Sequence, residues 1–201
     1  MIVLMSAFLL LSAFSCGGGN KANSTSEQSE ETAVNVPQFD ADSAYLYVKN
    51  QVDFGPRVPN TKEHVACGNY LAGQLEAFGA QVTNQYADLI AYDGTLLKAR
   101  NIIGSYKPES KKRIALFAHW DTRPWADNDP DEKNHKTPIL GANDGASGVG
   151  ALLEIARLVN QQQPELGIDI ILLDAEDYGA PQFYTGKHKE EFWCLGSQYW
   201  A

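Results

Sequence analysis

Cysteine is scarce, with three in 201 residues, too few to build a disulfide scaffold. Basic residues are short as well. Lys and Arg number 16 against 25 Asp and Glu, a formal net charge of −9. That balance argues against a nucleic-acid protein, which would show a basic patch or stripe. No apolar run reaches the ~20 residues that span a bilayer, which excludes a transmembrane helix and leaves a lipid anchor open. There is no internal repeat. What is there is ordinary for a globular domain: 44% hydrophobic and 20% charged residues. The length allows one domain with an appendage, and a core that stands without staples.

Residues 1–14, MIVLMSAFLLLSAF, are almost wholly apolar and lead into Ser15-Cys16-Gly17-Gly18-Gly19. A short apolar core followed by a small residue is the pattern of a signal peptide. With a Cys next, it resembles a bacterial lipoprotein signal, which implies cleavage after residue 15 and lipidation of Cys16. A plain secretory signal with a chance Cys is the competing reading, and the Gly/Ser-rich stretch that follows favours the lipoprotein. Residues 16–36 are polar, rich in Gly and Ser at first and acidic later. Such a stretch buries too little apolar area to offset its ordering entropy. It reads as a flexible tether between membrane and domain. Both readings export the protein, and the lipoprotein reading anchors it in the bacterial cell envelope, on the periplasmic side or at the outer membrane.

From residue 37 the pattern becomes globular. Asn60 followed by Glu63 has the spacing of a capping box. Cys67, Leu71, Leu75 and Phe78 recur at helical spacing, and Gly79 supplies a stop. The spacing predicts a helix over 61–78. Strand-like pieces follow at 81–86, 98–106 and 113–119. The last, RIALFAH, is a continuous apolar run that suits a strand buried on both faces. Residues 146–163 predict a helix with Val149, Leu152, Leu153, Ala156 and Val159 on one face. Residues 168–173, IDIILL, predict a second buried strand. Strand, loop, helix, strand is a βαβ unit with parallel pairing. The fold class is α/β, a mostly parallel sheet with helices on both faces.

The ligand-type residues are not scattered along this pattern. His119-Trp120-Asp121 ends one buried strand, Asn143-Asp144-Gly145 enters the helix, and Asp174-Ala175-Glu176-Asp177 ends the next strand. In a parallel sheet the strand C-termini and helix N-termini share one edge, where ligands bind. Each cluster has a bland alternative. Asp144 fits a helix cap, Glu176-Asp177 a solvated turn, and His119 a hydrogen-bonded core histidine. Their convergence on one rim lowers those alternatives. Small residues flank Asp144 on both sides, leaving room for close backbone approach. Adjacent acids at Glu176 and Asp177 repel unless a cation sits beside them. A carboxylate and His donor set points to a divalent metal, zinc first.

At these segments, and at Leu195-Gly196-Ser197-Gln198, the sequence resembles the zinc aminopeptidase family M28, and within it the glutaminyl-peptide cyclotransferases. The match of order and spacing runs over roughly residues 54–201. The resemblance implies a zinc-exopeptidase-like fold, with Asp144 and Asp177 as zinc ligands and Glu176 as the catalytic proton carrier. In many members the second acid is Glu, and here it is Asp. It implies one zinc for a cyclase, and two for an aminopeptidase, with His119 a ligand only in the second case. A remaining His ligand is expected from a later loop beyond residue 201. Residues 37–201 are accordingly read as the N-terminal portion of such a domain, incomplete at its C-terminus.

The activity implied first is conversion of the N-terminal Gln of peptides or proteins to pyroglutamate with release of ammonia. The alternative is M28 aminopeptidase activity, and a second alternative is an inactive, truncated lipoprotein or binding remnant. Trp120, Arg123 and Trp125 sit beside the site motif, and Trp120 and Arg123 are candidates for substrate binding. Cys67 and Cys194, the cysteines left after Cys16, are a candidate disulfide in an oxidising compartment. Asp127-Asn128-Asp129-Pro130-Asp131 alternates like the start of a calcium loop, but Glu132 and Pro138 replace the required Gly and Glu. It reads as a solvated loop. His64 is assigned no role.

Overall fold

The computed structural model describes residues 35–201. The leader, Cys16 and the tether through residue 34 lie outside the described residues. No described helix is long and apolar enough to cross a membrane.

Helix α1 (Ala41–Asp53) comes first, started by Asp40, whose side chain accepts the N–H groups of Asp42 and Ser43. Those are donors that a first helical turn leaves free. This helix was not among the sequence expectations, although an Asp before an apolar-periodic stretch is its usual signal. It packs along α3 (Ala146–Gln161). Gly150 permits the approach, since a Cβ there would meet Val48 Cγ2 at 2.6 Å. Gln51 is wholly buried and donates to the carbonyls of Tyr47 and Ala146.

Helix α2 (Lys62–Ala77) occupies the expected stretch, but its cap is Thr61, whose side chain accepts the N–H of His64. Asn60 takes a left-handed backbone, φ 76°, which Asn tolerates better than most residues. Its amide then bonds strand backbone, accepting from Lys98 N at 2.8 Å and donating to Leu96 O at 2.9 Å. Gly79 ends α2 as expected, at φ 79°.

Four strands form one sheet: β1 (Gln81–Ile90), β2 (Leu96–Tyr106), β3 (Arg113–His119) and β4 (Gly167–Leu173), in the order β1-β2-β4-β3. The α/β class holds, but the sheet is mixed rather than mostly parallel. β1 and β2 pair antiparallel from Gln81↔Ser105 to Ile90↔Leu96, because the Asp93-Gly94 turn between them is too short for a crossover. β2 and β4 are also antiparallel. The β3–α3–β4 unit gives the expected parallel pair, from Arg113↔Gly167 to His119↔Leu173.

Leu71 and Leu75 of α2, and Val149, Leu153 and Ala156 of α3, pack on Ile102, Ile170 and Leu172 of the sheet. Burying each of the larger side chains is worth about 1.5–3 kcal/mol. The whole α3 face read from the sequence is buried, from Val149 to Val159. Helix α4 (Leu195–Trp200) sits against the other face, where Trp200 meets Phe117 edge-on at 5.1 Å. Helices therefore lie on both faces. β3 is an edge strand, not one buried on both sides, and Ile114 and Phe117 remain about half exposed, at 48% and 47%. β4 is interior and paired on both sides.

Candidate active site

Parallel pairing brings the ends of β3 and β4 to one edge. Trp120 N–H extends the ladder by one step to Leu173 O at 3.0 Å. Beyond it the two chains diverge, one into Asp121 and the other into Asp174 to Asp177.

The turn after β4 is held from three directions. Asp174 is fully buried. Its carboxylate accepts from Arg100 N and Ala175 N and lies 2.8 Å from His64 Nε2. Burial pushes its carboxyl up, and His64 opposes that shift. From β3, the buried Asp121 carboxylate accepts the N–H groups of Glu176 and Asp177, each at 3.1 Å. From the C-terminal side, three successive N–H groups grip three successive carbonyls. Cys194 donates to Glu176 O, Leu195 to Ala175 O and Gly196 to Asp174 O. Gly196 is required there, since a Cβ would lie 2.0 Å from Asp174 O. Ala175 and Cys194 both adopt left-handed backbones, φ 49° and 53°, strain of a kind that collects at functional sites.

Asp144 does not cap α3. The cap position is Gly145, φ 90°, with no side-chain cap bond. A Cβ on Gly145 would come within 2.9 Å of Asp121 O and 3.2 Å of His119 Cε1, so glycine lets the loop lie against His119. The Asp144 carboxylate pairs with His119 Nε2 at 3.0 Å. His119 Nδ1 lies 3.4 Å from Asp121 Oδ1, an ion pair without a well-directed hydrogen bond, and 3.9 Å from Glu176 Oε2. Burial pulls the imidazole down, but Asp121, Glu176 and Asp144 together outweigh it and push it up to about 9.

Asp177 is nearly buried, and its Oδ2 has no partner. Burial first, then the charges of Asp121, Asp144 and Glu176, push its carboxyl up to about 7 against the pull of Arg123. An orphaned buried carboxylate oxygen amid three further acids is a place where added positive charge would be stabilised, Arg123 and His119 notwithstanding. Carboxylate and imidazole donors of the kind gathered here are those that zinc takes. Among the described residues, no three His, Cys, Asp or Glu side chains are arranged to hold a metal. Glu176 stands beside this pair, its side chain about one-third exposed, with Oε1 3.2 Å from Cys194 Sγ.

Of the two substrate-binding candidates, Trp120 is enclosed, whereas Arg123 borders a cleft beside Asp144. Trp120 is fully buried, stacked on His64 at 4.3 Å and donating to Arg100 O. Arg123 is spent on the protein: it forks onto both Asp127 oxygens, at 2.7 and 2.6 Å, and donates to Asp177 O at 3.1 Å. The guanidinium lies between the Trp125 and Trp193 rings. Asp127, read as part of a solvated loop, is therefore buried. The two cysteines are free thiols, not a bridge. Cys67 sits in the core, pushed up to about 12 by burial. Cys194 stands at the site, pushed up to about 11 by burial and then by Glu176.

Three contributors had no sequence signal. Arg57, wholly buried, donates to the carbonyls of Trp120, Leu140 and Gly141, tying both site loops together. Asn101 of β2 donates to Gly196 O and accepts from Asp174 N. His64 is the third. A cleft of about 270 Å³ opens beside Asp144, lined by Arg123, Trp125, Asp129 and Ile139.

The sequence model of Peptidase family M28 matches residues 101–201, half of the chain. Among solved structures, the glutaminyl cyclase of Bacteroides thetaiotaomicron bound to N-acetylhistamine is 95% identical, TM-score 0.82, over 83% of this chain and 57% of that one. A leucine aminopeptidase precursor from Bacteroides thetaiotaomicron is also 95% identical, TM-score 0.83, over 83% and 58%. The glutaminyl cyclase of Tannerella forsythia is 58% identical, TM-score 0.80, over 82% and 56%. The chain thus spans somewhat more than half the length of these relatives.

Proposed function

The chain belongs to peptidase family M28, and on that premise we propose that it carries the catalytic carboxylates of a zinc-dependent glutaminyl-peptide cyclotransferase. The substrate is a peptide or protein with an N-terminal Gln, and the products are pyroglutamate and ammonia. The observation that carries this is the placing of Glu176 beside the unpartnered Asp177 carboxylate, with the Asp144 charge near enough to raise it. The 95% identity to a cyclase supports the choice within the family.

Asp144 and Asp177 would hold the zinc. Bound zinc supplies Lewis-acid polarisation of the Gln γ-amide carbonyl. Glu176 takes the proton of the α-amine as that nitrogen attacks the γ-carbon. It then returns the proton to the departing ammonia, so no water is consumed. Asp121 keeps Glu176 and Asp177 in place through their N–H groups. Because the attack is intramolecular, positioning supplies much of the rate.

The test is ammonia release from a Gln-initiated peptide, by this chain and by one extended at its C-terminus to the relatives' length. Inhibition by N-acetylhistamine, the compound in the Bacteroides cyclase, is expected. Release by neither chain refutes the cyclase. Aminopeptidase activity is the second reading, favoured by the equally identical aminopeptidase precursor. One zinc per chain supports cyclase, and two support the peptidase. The same proposal places the protein in the bacterial cell envelope, lipid-anchored through Cys16, on the strength of the apolar leader and the small residue before that Cys.

A further inference from the structure

We propose that Cys194 is a positioning residue for Glu176, holding Oε1 with its thiol so that Oε2 is the oxygen presented to the substrate amine. This rests on the reading of Glu176 as the proton carrier. The Sγ to Oε1 distance is 3.2 Å, within hydrogen-bonding range for sulfur. Burial and the adjoining carboxylates keep the group as S–H, so it donates and the carboxylate accepts. S–H is a weak donor, but an ionised acceptor strengthens the bond.

The placement of Cys194 is built into the fold. Its N–H donates to Glu176 O at 3.0 Å, so backbone and side chain of one residue grip both ends of the other. Cys194 holds a left-handed backbone, φ 53°, which a residue bearing a Cβ adopts only when its surroundings enforce it. The enforcing contacts are the bonds of Leu195 and Gly196 to the same turn and the Asn101 amide across Gly196 and Asp174. Among the described residues, the contact of the opposite oxygen, Oε2, is an ion pair with His119 Nδ1 at 3.9 Å, beyond hydrogen-bonding distance. One carboxylate oxygen is therefore hydrogen-bonded, and the other is held by charge alone.

The test compares Cys194→Ala, which removes the donor without β-branching at this left-handed position, with Cys194→Ser, which keeps a donor. In the active full-length chain, Cys194→Ala should lower kcat about ten-fold with KM within two-fold, and Cys194→Ser should recover most of that loss. Equal kcat for Cys194→Ala and wild type, or equal loss in Ala and Ser, overturns the proposal. Infrared spectroscopy gives a readout that needs no turnover. The S–H stretch lost in Cys194→Ala should lie at lower wavenumber than that of Cys67, and should move up in Glu176→Gln. A band that does not respond to Glu176→Gln overturns the contact. A wild-type protein that releases no ammonia would remove the cyclase reading, whereas the infrared band reports the contact on its own.

Discussion

His64 Nε2 lies 2.8 Å from Asp174 Oδ2, and both side chains are buried beneath the turn that carries Glu176. The imidazole is sandwiched against Trp120, and the carboxylate accepts two backbone N–H groups besides. This pair is the floor of the site. Removing one partner of a buried pair leaves the other uncompensated, at about 3–5 kcal/mol. His64→Leu should therefore destabilise the protein by that order, read by urea denaturation. A loss within experimental error would show that the pair bears no load.

Asp144→Asn and Asp177→Asn should each lower zinc content after dialysis, measured by atomic absorption, because each removes a carboxylate oxygen from the proposed donor set. Glu176→Gln should keep its zinc and lose turnover by about 10²- to 10⁴-fold, the usual worth of a positioned acid–base group. Full ammonia release by Glu176→Gln would end the assignment of that residue.

The pH dependence of the metal-free protein follows from two raised values. His119 rises from 6.5 to about 9. A base raised on folding contributes stability that is complete below its unfolded value and fades as pH climbs through the folded one. Melting temperature in a chelating buffer should therefore fall from pH 6.5 to about 9, and His119→Gln should flatten the fall. Asp177, raised from 3.8 to about 7, acts the same way at lower pH. The folded state keeps that proton where the unfolded chain has lost it, so stability drops as pH rises across the interval. A profile flat from pH 4 to 9 would contradict both.

Arg123→Lys should be far from conservative. It removes the fork onto Asp127 and the reach to Asp177 O, neither of which an ammonium reproduces. Asp127 would lose its planar partner while buried. The expected result is a lower melting temperature together with weaker zinc retention, because Arg123 also borders the Asp177 carboxylate at 3.5 Å. Unchanged zinc retention would confine Arg123 to a role in the loop alone.

Much of the frame was legible along the chain. The run 113–119 matched β3 at both ends, and the helix face from Val149 to Val159 is buried as its spacing required. Those features are local: apolar periodicity and a glycine-rich entry declare themselves within a few residues. The convergence of His119, Asp144, Glu176 and Asp177 on one rim followed from parallel pairing of β3 and β4. That Trp120 is enclosed while Arg123 and Trp125 line the cleft beside Asp144 was not legible, because neighbours along the chain do not reveal which face of a loop turns inward.

The amino-acid order alone determined the β3–α3–β4 unit and helix α2, and that three acidic clusters end at the same edge. Only the folded arrangement decided what each acid does. Asp121 turns inward to hold two N–H groups, Asp144 abandons the cap position for His119, and Asp177 keeps one oxygen free. It also decided that Arg57, silent in the sequence, and Cys194, read there only as half of a disulfide, touch the site. The reason is separation along the chain. Arg57 meets Gly141 across 84 positions and Asp121 meets Glu176 across 55, and such contacts exist only once the sheet has brought its strand ends together.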